Sequence, residues 1–562
     1  MKKYLSYLIW AAVGILTVLV FARVIFFRID LTEERRYSLS TNSKTLLKDL
    51  QTPVEVTIYL GGEADANIVR LRRAINELID ELNAYSAKKI RYRYADPSAA
   101  TSEEERYKNY DRLEQKGLQG MTVSRRSRQG SFEQQIIFPW AEVALGSDTM
   151  PVCLMQPAQG IDIAENVNHA IEMLEYGFLD AIRILSKPAV DRIAFLEGHD
   201  ELSELEDYDA SDIFSRYFQV DRGMLGSDAS VLDSYRAVVI AKPLSAFSES
   251  DKYIIDQYIM RGGRVFWLLD AIIFSADNLS KNGFSPVAPL ELNLTDMLFR
   301  YGVRIEPSVV QDRQCLTMPV NVARHGETPQ FEAMPWTYAP LLLTSPHHPI
   351  TKNGTAVKSD FPSVISQTND ENSIVMMPLL VTSNASRVDR TPTEIDLKNS
   401  IRQDPETYFR HRYLPIAVVM EGEFPSVFAH RMPPKGIDSP PQTVERSVPT
   451  RMVVAADGDI IRNDVEQQED GTLGILPLGF DRMTGRTFGN RDFVLNALLY
   501  LTDDDGWMQL RNRSLKLRLL NSAAVSGSRH FRIWWNVAAP PLLLLLLGGI
   551  YLLFRRKMNK SR

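Results

Sequence analysis

The chain has 562 residues, of which 24% are charged, and its formal net charge is -6. This length predicts two to four domains, each large enough to bury a hydrophobic core. The charge balance gives no basic footprint, which argues against nucleic acid as a partner. Cys153 and Cys315 form neither a CxxC motif nor a Cys/His cluster, so the sequence indicates no zinc site. Two free thiols are favoured over a single bridge between these cysteines, which stays open as an alternative.

Two uncharged segments, residues 4–22 and 533–554, are each long enough to cross a bilayer as a helix. The first lacks a small-x-small cleavage site and is interpreted as an uncleaved signal anchor. The second contains Pro540 and Pro541, which membrane helices tolerate. Two spans place both termini on one side of the membrane. Basic residues after the second span favour a cytoplasmic C-terminus, so residues 24–532 are expected outside the cytoplasm.

Residues 45–186 are predicted to form an N-terminal α/β domain. A strand at 53–60, an amphipathic helix from Ile68 to Tyr85 and a strand at 89–97 indicate a right-handed parallel βαβ unit. The helix before them has Ser40 or Thr41 as its candidate N-cap. A hairpin at 121–145 and a long helix at 164–186 complete a layout typical of thioredoxin-like folds, without the redox CxxC motif.

Residues 190–502 are predicted to form a second α/β domain with a doubly wound parallel sheet, flavodoxin- or amidotransferase-like. Its strands, at 191–199, 236–243 and 264–271, are continuous apolar runs, as a sheet buried on both faces requires. The strand at 451–456 and the helix at 489–501, which Asn490 can cap, are expected to complete this sheet. The region of about 280–450 is then an insertion, with long loops at 381–410 and 430–449. Residues 503–532 would link the domain to the membrane.

Motifs for nucleotide and nucleophile chemistry are missing from the sequence. There is no GxxxxGK[ST] loop for nucleotide, no GxSxG elbow and no HExxH motif. We therefore expect no catalytic residue, no cofactor and no directly bound nucleotide. Loops at the carboxyl ends of parallel strands are where open α/β sheets bind ligands. The candidate ligand-binding residues at such positions, or at the start of the final helix, are Glu197, His199, Asp270, Asp457, Asp459 and Asn490.

The acidic stretch "VVAADGDIIRND" at 453–464 is the strongest apparent metal motif. An EF-hand needs a third ligand and a later glutamate at fixed spacing, whereas Asp457-Gly458-Asp459 is followed by two isoleucines. We therefore expect no metal here. A structural turn is favoured over a bound ligand. The acidic residues around His199 are likewise more typical of an exposed helix start.

Several stretches together carry a family resemblance. They are "FFRIDLTEERRYSLSTNSKTLL", "LEGHDEL", "YIMRGGRVFWLLD", "WTYAPLLLTSPHHPIT", "LPIAVVMEGEFPSVFAHR", "VVAADGDIIRND" and "PLGFDRMTGRTFGNRDFVLNALLYL", in this order. The chain resembles gliding-motility-associated components of ABC transporters, within a wider family of ABC-transporter auxiliary proteins. The resemblance implies an inner-membrane protein with a periplasmic domain and a substrate-binding role. It also implies a permease and a separate ATPase as partners, and the two predicted spans imply contact with membrane lipid.

Three hypotheses for function follow. The first is a non-enzymatic accessory subunit that couples an ABC permease to a process in the cell envelope. The second is a ligand-binding receptor, whose pocket would be formed by the loops after residues 196, 242, 270 and 456. The third is an amidotransferase-like hydrolase, which is disfavoured because Cys315 does not follow a strand-to-helix elbow.

Overall fold

The structure is a computed structural model. It describes residues 39–62, 65–87, 89–100, 102–126, 132–156, 163–186, 191–321, 328, 330–368, 374–397, 405–438, 442–467, 471, 473–512 and 529–560. The predicted membrane segment 4–22 lies outside the described residues. The chain divides into two compact units, Met1–Arg513 and Ser514–Arg562.

The first unit begins with a four-stranded sheet and its helices. Its elements are α1 (Thr41–Asp49), β1 (Val54–Ile58), α2 (Ala66–Tyr85), β2 (Ile90–Tyr94), α3 (Glu103–Gln115), β3 (Met121–Arg126), β4 (Phe132–Ile137), β5 (Trp140–Leu145), β6 (Asp148–Cys153) and α4 (Ile163–Ser186). The sheet order is β2-β1-β5-β6. β1 and β2 are parallel, as the βαβ pattern predicts, and β5 and β6 continue the sheet antiparallel. The parallel pair agrees with the expectation, but the hairpin predicted at 121–145 differs: β3 and β4 pair as a separate two-stranded sheet, and β5 pairs instead with β6.

Local sequence signals explain the helices of this part. The Ser40 hydroxyl accepts a hydrogen bond from the Ser43 N–H at 3.0 Å, so Ser40 is the N-cap of α1. Asp65 caps α2 in the same way through the Ile68 N–H. The predicted apolar face of α2 is buried, with Leu71 and Ile75 fully enclosed.

The second sheet is the largest element of the fold. The elements up to residue 312 are β7 (Arg192–Glu197), α5 (Tyr208–Ser215), β8 (Gln219–Met224), β9 (Ala237–Ala241), α6 (Glu249–Met260), β10 (Val265–Leu268), β11 (Ile272–Phe274), α7 (Ala276–Asn282), β12 (Phe284–Pro289), α8 (Thr295–Tyr301), β13 (Val303–Glu306) and β14 (Ser308–Asp312). Those up to residue 422 are β15 (Cys315–Asn321), β16 (Phe331–Thr344), β17 (Val357–Lys358), β18 (Val364–Gln367), β19 (Ile374–Val381), β20 (Ser386–Arg390), β21 (Thr393–Asp396), α9 (Pro405–Tyr408) and β22 (Pro415–Gly422). The remainder are β23 (Thr450–Ala455), a 3₁₀ turn η1 (Gly458–Ile461), β24 (Val465–Gln467), β25 (Leu473–Ile475), β26 (Phe480–Asp481), β27 (Arg486–Thr487), α10 (Asn490–Thr502) and a 3₁₀ turn η2 (Trp507–Asn512).

The main path of this sheet has the order β15-β16-β19-β22-β23-β10-β9-β7-β8. The strands from β23 to β8 run parallel. β23 therefore joins β10 as predicted, although a long stretch of chain separates them. Along β9, Val239 packs into the core that α10 shares, while Val238 and Ile240 pack into the core beneath α6. The sheet is thus buried on both faces, which explains its continuous apolar strands.

The region predicted as an insertion extends the same sheet. β22 pairs antiparallel with β23, and β19 and β16 continue outward from it. The loop predicted at 381–410 is wrong, because this stretch contains β20, β21 and α9. The strands were not predicted because polar residues such as Arg387 and Asp389 alternate along them. β20 pairs antiparallel with β14, and β21 pairs antiparallel with β12. Within the described part of 430–449 the chain has no helix or strand.

The described residues of the second unit form one long helix, α11 (Arg529–Lys560). Its segment Ile533–Leu552 has a mean hydropathy of 1.7 and is long and apolar enough to cross a membrane. Among the described residues this is the one helix that meets that test. Pro540 and Pro541 lie within it without ending it. Its position agrees with the predicted segment 533–554.

Candidate functional site at the carboxyl edge of the parallel sheet

Three neighbouring parallel strands end side by side at one edge of the large sheet. Ala241, Leu268 and Ala455 are register partners at the ends of β9, β10 and β23. The charged residues just beyond these ends are Lys242, Asp270 and Asp457. A parallel sheet therefore brings together side chains that are far apart in the sequence.

Asp457 is fully buried and holds two segments of backbone. Its Oδ1 accepts a hydrogen bond from the Asp459 N–H at 2.8 Å, which makes Asp457 the N-cap of η1. Its Oδ2 accepts from the Asp360 N–H at 3.0 Å. Burial and the neighbouring carboxylates of Asp459, Asp270 and Asp360 raise the pKa of Asp457 well above its usual value. The sequence-based interpretation of this turn as structural agrees with these contacts.

Lys242 supplies the positive charge of the site. Its ammonium lies 3.2 Å from Asp270 Oδ2 and also forms an ion pair with Asp459. Burial alone would lower the pKa of Lys242, but the carboxylates of Asp270 and Asp459 raise it above its usual value. The other oxygen of Asp270 accepts from the Gly458 N–H at 2.7 Å. The other oxygen of Asp459 is 3.1 Å from Arg462 Nη1.

Glycine is required at position 458 because the loop that contains it passes very close to the loop that contains Lys242. A Cβ at this position would lie 2.5 Å from the Cβ of Lys242, which is too near for any side chain. Lys242 itself has a φ of 54° in the left-handed region. The backbone of the turn is thus fitted closely around the lysine.

The carboxylates of Asp270, Asp457 and Asp459 offer oxygens that all lie within 4.8 Å of one another. Such a group could in principle hold a divalent cation. Both oxygens of each carboxylate are already engaged, by backbone N–H groups, Lys242 or Arg462. A cation here would compete with the Lys242 ammonium for two of its three ligands. The donor set therefore fits an internal salt bridge better than a metal centre.

Asn490 lies beside this turn, but the prediction that it caps α10 is wrong. The N-cap is Gly489, and no side chain caps the helix there. The Asn490 amide instead accepts from the Lys358 N–H at 2.8 Å and donates to the Ile460 carbonyl at 3.1 Å. Asn490 is the first residue of the helix, one position after the N-cap, and its side chain bonds to the backbone of Lys358 and Ile460. Asn490 thus ties η1 to β17.

His199 forms a separate cluster on the loop after β7. Its Nδ1 is 3.1 Å from Glu201 Oε1, its Nε2 is 3.3 Å from Asp251 Oδ2, and its ring stacks on Phe247 with the centroids 3.7 Å apart. Burial alone would lower the pKa of His199, but the two carboxylates raise it above its usual value. Asp251 also belongs to the capping box of α6. His199 therefore acts as a clamp between this loop and the start of α6.

Glu197 belongs to a third group. Its Oε1 is 3.4 Å from Arg222 Nη1, and the same guanidinium pairs with buried Asp207 and lies over the ring of Phe195. Burial raises the pKa of Asp207 to about 6, although Arg222 opposes the shift. The structure thus unites Asp270, Asp457 and Asp459 directly, with Asn490 beside them, and pairs His199 and Glu197 with other partners.

The sequence analysis missed Lys242 and Asp360. Burial raises the pKa of Asp360 to about 7. Lys242 directly follows the apolar run of β9. A lysine immediately after a buried parallel strand could have been predicted from the sequence to belong to the site. Asp360 lies next to β17 in the region where the apolar pattern is weak, and we find no sequence signal that singles it out.

Neither cysteine has the properties of a nucleophile. Cys153 and Cys315 are both free thiols, so the alternative of a bridge between them is wrong. Burial raises the pKa of each to about 12, which leaves almost no thiolate at neutral pH.

Comparisons with known proteins complete the description. Residues 33–144 match a family model described as a domain of unknown function (DUF7088). No curated protein matches the chain. Among solved structures, "mmIFT52 N-terminal domain" aligns with 12% identity and a TM-score of 0.32, over 56% of this chain and 99% of that chain. Residues 191–497, more than half of the chain, match the model of the ABC-transporter auxiliary family, described as an ABC-type uncharacterized transport system. The chain therefore belongs to the ABC-transporter auxiliary family.

Proposed function

We propose that the protein is a non-enzymatic, extracytoplasmic accessory and substrate-binding subunit of an ABC transporter, which acts with a permease and a separate ATPase. The proposal that the protein is not an enzyme is supported by one observation: the charged groups around Lys242 and Asp457 already have partners within the protein. This edge is where an open α/β sheet usually places its ligand or chemistry. Here the charged side chains bind one another and backbone N–H groups. This supports a structural role, in which they hold the loops at this edge in place.

The membrane part of the proposal rests on α11 and on the sequence around it. The segment Ile533–Leu552 is apolar enough to span a bilayer, and Arg555, Arg556 and Lys557 follow it in the sequence. By the positive-inside rule, this end lies in the cytoplasm. With residues 4–22 as a second span, the α/β domain lies in the periplasm and both termini lie in the cytoplasm of an inner-membrane protein.

This topology predicts the behaviour of fused reporters. Alkaline phosphatase, which is active outside the cytoplasm, is expected to be active when inserted near residue 440 and inactive when fused after Arg562. A fluorescent protein that matures only in the cytoplasm should give the opposite pattern at the same two positions and serves as the matched control. Activity of the phosphatase after Arg562, with none near residue 440, would contradict the proposed orientation.

The partner part of the proposal rests on family membership and on the missing phosphate loop. An accessory subunit without a GxxxxGK[ST] motif depends on a separate ATPase to use nucleotide. The finer resemblance, to the gliding-motility component GldG, motivates the proposal that the transporter serves an envelope process of that kind. The hydrolase alternative gains no support, because both cysteine thiols have raised pKa values.

Co-purification tests the accessory role. The full chain, tagged and extracted in mild detergent from its native membrane, is expected to retain a multi-span permease and an ATPase, identified by mass spectrometry. The purified chain alone should show no ATP hydrolysis. A variant in which residues 533–554 are replaced by an unrelated apolar span should stay folded but retain less permease. Hydrolysis of ATP by the chain alone, or the recovery of neither partner, would contradict the proposal.

A further inference from the structure

His199 lies where two loops meet at the carboxyl edge of the parallel sheet. The loop after β7 spans residues 198–207, and the loop after β9 spans residues 242–248. The His199 carbonyl accepts hydrogen bonds from the Leu244 and Ser245 N–H groups, each at 2.9 Å, so backbone joins the two loops at this residue. The His199 side chain is enclosed there, with only 7% of its surface exposed.

Both ring nitrogens of His199 face a carboxylate oxygen. Nδ1 is 3.1 Å from Glu201 Oε1, in the same loop, and Nε2 is 3.3 Å from Asp251 Oδ2, in the first turn of α6. An ionised carboxylate can only accept a hydrogen bond, whereas a neutral imidazole has one N–H and one lone pair. A neutral ring could therefore satisfy one of these carboxylates and would turn its lone pair towards the other. The two contacts are both hydrogen bonds only when the ring is the doubly protonated cation.

The two carboxylates are held in place by bonds that do not involve the ring. Glu201 Oε2 accepts from the His199 N–H at 2.7 Å. Asp251 Oδ2 accepts from the Ser248 hydroxyl at 2.6 Å and from the Ser248 N–H at 3.3 Å. Both carboxylates thus keep these bonds when the ring loses its proton. What changes is the link that the ring makes between the loop after β7 and α6.

Most other charged groups of these loops and of α6 have partners of their own. They pair as follows: Glu197 and Asp207 with Arg222, Glu206 with Arg462, Asp270 and Asp459 with Lys242, Glu249 and Asp296 with Lys252, and Asp200 with the Ser245 hydroxyl. Glu204, on the loop after β7, is exposed. Among the described residues, the ion pairs of Glu201 and Asp251 are both with His199. The charge on this ring is therefore the one that these two carboxylates depend on.

Phe247 supports the ring of His199 by stacking on it. The two rings lie 13° from parallel with their centroids 3.7 Å apart, and Phe247 is buried in the core beneath α6. A cation over an aromatic face is attracted to it. Burial alone would lower the pKa of His199, but the two carboxylates raise it above its usual value of 6.5. This shift moves the loss of the proton to neutral or mildly alkaline pH.

We propose that His199 is a pH-sensitive clamp, whose charged ring ties the loop after β7 to α6 and whose neutral ring lets the loops after β7 and β9 open. A group with a raised folded pKa contributes fully below its unfolded pKa, and this contribution is lost as the pH rises through the folded pKa. The clamp therefore closes at acidic pH and loosens as the pH rises. Lys242 begins one of these loops, so the proton on His199 controls access to the edge of the sheet that holds the acidic site. The clamp lies within the α/β domain and does not depend on a transporter partner.

Hydrogen–deuterium exchange of the full chain in lipid nanodiscs tests the proposal. Exchange is measured by mass spectrometry at pH 6, 7, 8 and 9, with correction for the pH dependence of the intrinsic exchange rate. Peptides that cover residues 198–207 and 242–251 are expected to lose protection about tenfold between pH 6 and pH 9, the effect of one charge-assisted hydrogen bond. Peptides from β9 and β10 should keep their protection and are the internal control. Equal protection of both loops at pH 6 and pH 9 would overturn the proposal.

Two variants assign the effect to the clamp. His199→Gln keeps a hydrogen-bond donor but is neutral at every pH, so its loops should be loose already at pH 6 and change little up to pH 9. Asp251→Asn keeps the oxygen that caps α6 and removes one charge, so the transition should move to lower pH. His430→Gln is the matched control, because His430 pairs with Glu445 at an exposed position, and it should behave like the wild type.

Either variant can refute the clamp. Loops of His199→Gln that still lose protection as the pH rises would assign the effect to another group. A transition that Asp251→Asn leaves at the same pH would do the same, and this comparison holds even where His199→Gln folds poorly.

Discussion

Replacement of Asp457 by alanine is expected to lower the free energy of unfolding by about 3 kcal/mol. The variant leaves the buried N–H groups of Asp459 and Asp360 without the acceptors they now have. Each unsatisfied buried donor costs roughly 1 to 3 kcal/mol. The N-cap of η1 is lost in the same step, so the turn next to Lys242 should loosen first.

The aspartate-to-asparagine variant separates hydrogen bonding from charge. Asp457→Asn keeps one acceptor oxygen but places an amide N–H₂ against a backbone N–H, so about half of the loss is expected. Both variants can be followed by chemical denaturation of the full chain, with near-UV circular dichroism as the signal. Asp277→Asn, at an exposed position on α7, is the control and should match the wild type. An alanine variant as stable as the wild type would show that Asp457 is not a structural brace.

The same proteins test the metal alternative. If Asp270, Asp457 and Asp459 hold a cation, calcium or magnesium should raise the melting temperature of the wild type, and Asp457→Asn should abolish the effect. We expect no such change, because the Lys242 ammonium already neutralises two of these carboxylates. A stabilisation by several degrees would replace the salt-bridge interpretation with a metal site.

Much of the parallel sheet could be predicted from the sequence, for a physical reason. Strands buried on both faces must be apolar at every position, so β7, β9, β10 and β23 each stand out as short uninterrupted runs. In the sequence, Gly262 and Gly263 directly precede β10 and are typical of a helix end, which agrees with the end of α6 at Met260. These patterns depend only on nearby residues, and they were enough to predict the strands and their parallel direction.

The contacts of the site depend on long-range packing and could not be predicted in the same way. Asp457 and Asp459 were identifiable as a turn, but the partner of Asp459 is Lys242, on a different strand end. Their pairing depends on which strands are neighbours in the sheet. The prediction that Asn490 caps the helix was wrong because its side chain bonds to the backbone of Lys358 in β17. This two-residue strand has no sequence pattern from which the contact could be predicted. The antiparallel extension by β22, β19 and β16 was missed because their looser pattern suggested a separate insertion.

Replacement of Lys242 by methionine is expected to have the largest effect on stability, about 3 to 5 kcal/mol at pH 8. Removal of one partner from a buried ion pair leaves the remaining charge uncompensated, which is costly. The side chains of Lys242, Asp270 and Asp459 are only 15%, 16% and 13% exposed, so solvent screens them weakly. Methionine keeps the length and volume of the lysine stem, so the loss reports the missing charge.

The pH dependence distinguishes a lost charge from lost packing. Burial raises the pKa of Asp270 and the Lys242 ammonium opposes this shift, so without Lys242 the pKa of Asp270 rises further and the folded variant takes up protons as the pH falls. A group whose folded pKa is raised stabilises below its unfolded pKa and loses this contribution as the pH rises through its folded pKa. The deficit of Lys242→Met relative to the wild type should therefore shrink between pH 8 and pH 5. Burial raises the pKa of Asp360 to about 7 and Lys242 opposes this shift as well, so the loss of Lys242 shifts Asp360 in the same direction as Asp270 and adds to the pH dependence of the deficit.

Denaturation curves at pH 5, 6.5 and 8 provide this comparison for the wild type, Lys242→Met and the control Lys281→Met. Lys281 pairs with Asp277 on the surface, where both side chains are more than 70% exposed, so its removal should leave stability unchanged at every pH. The double variant Lys242→Met/Asp270→Asn removes one of the uncompensated carboxylates and should recover part of the loss at pH 8. A deficit that is the same at all three pH values, with no recovery in the double variant, would mean that Lys242 contributes through packing and that the charges at this edge of the sheet are not what holds its loops together.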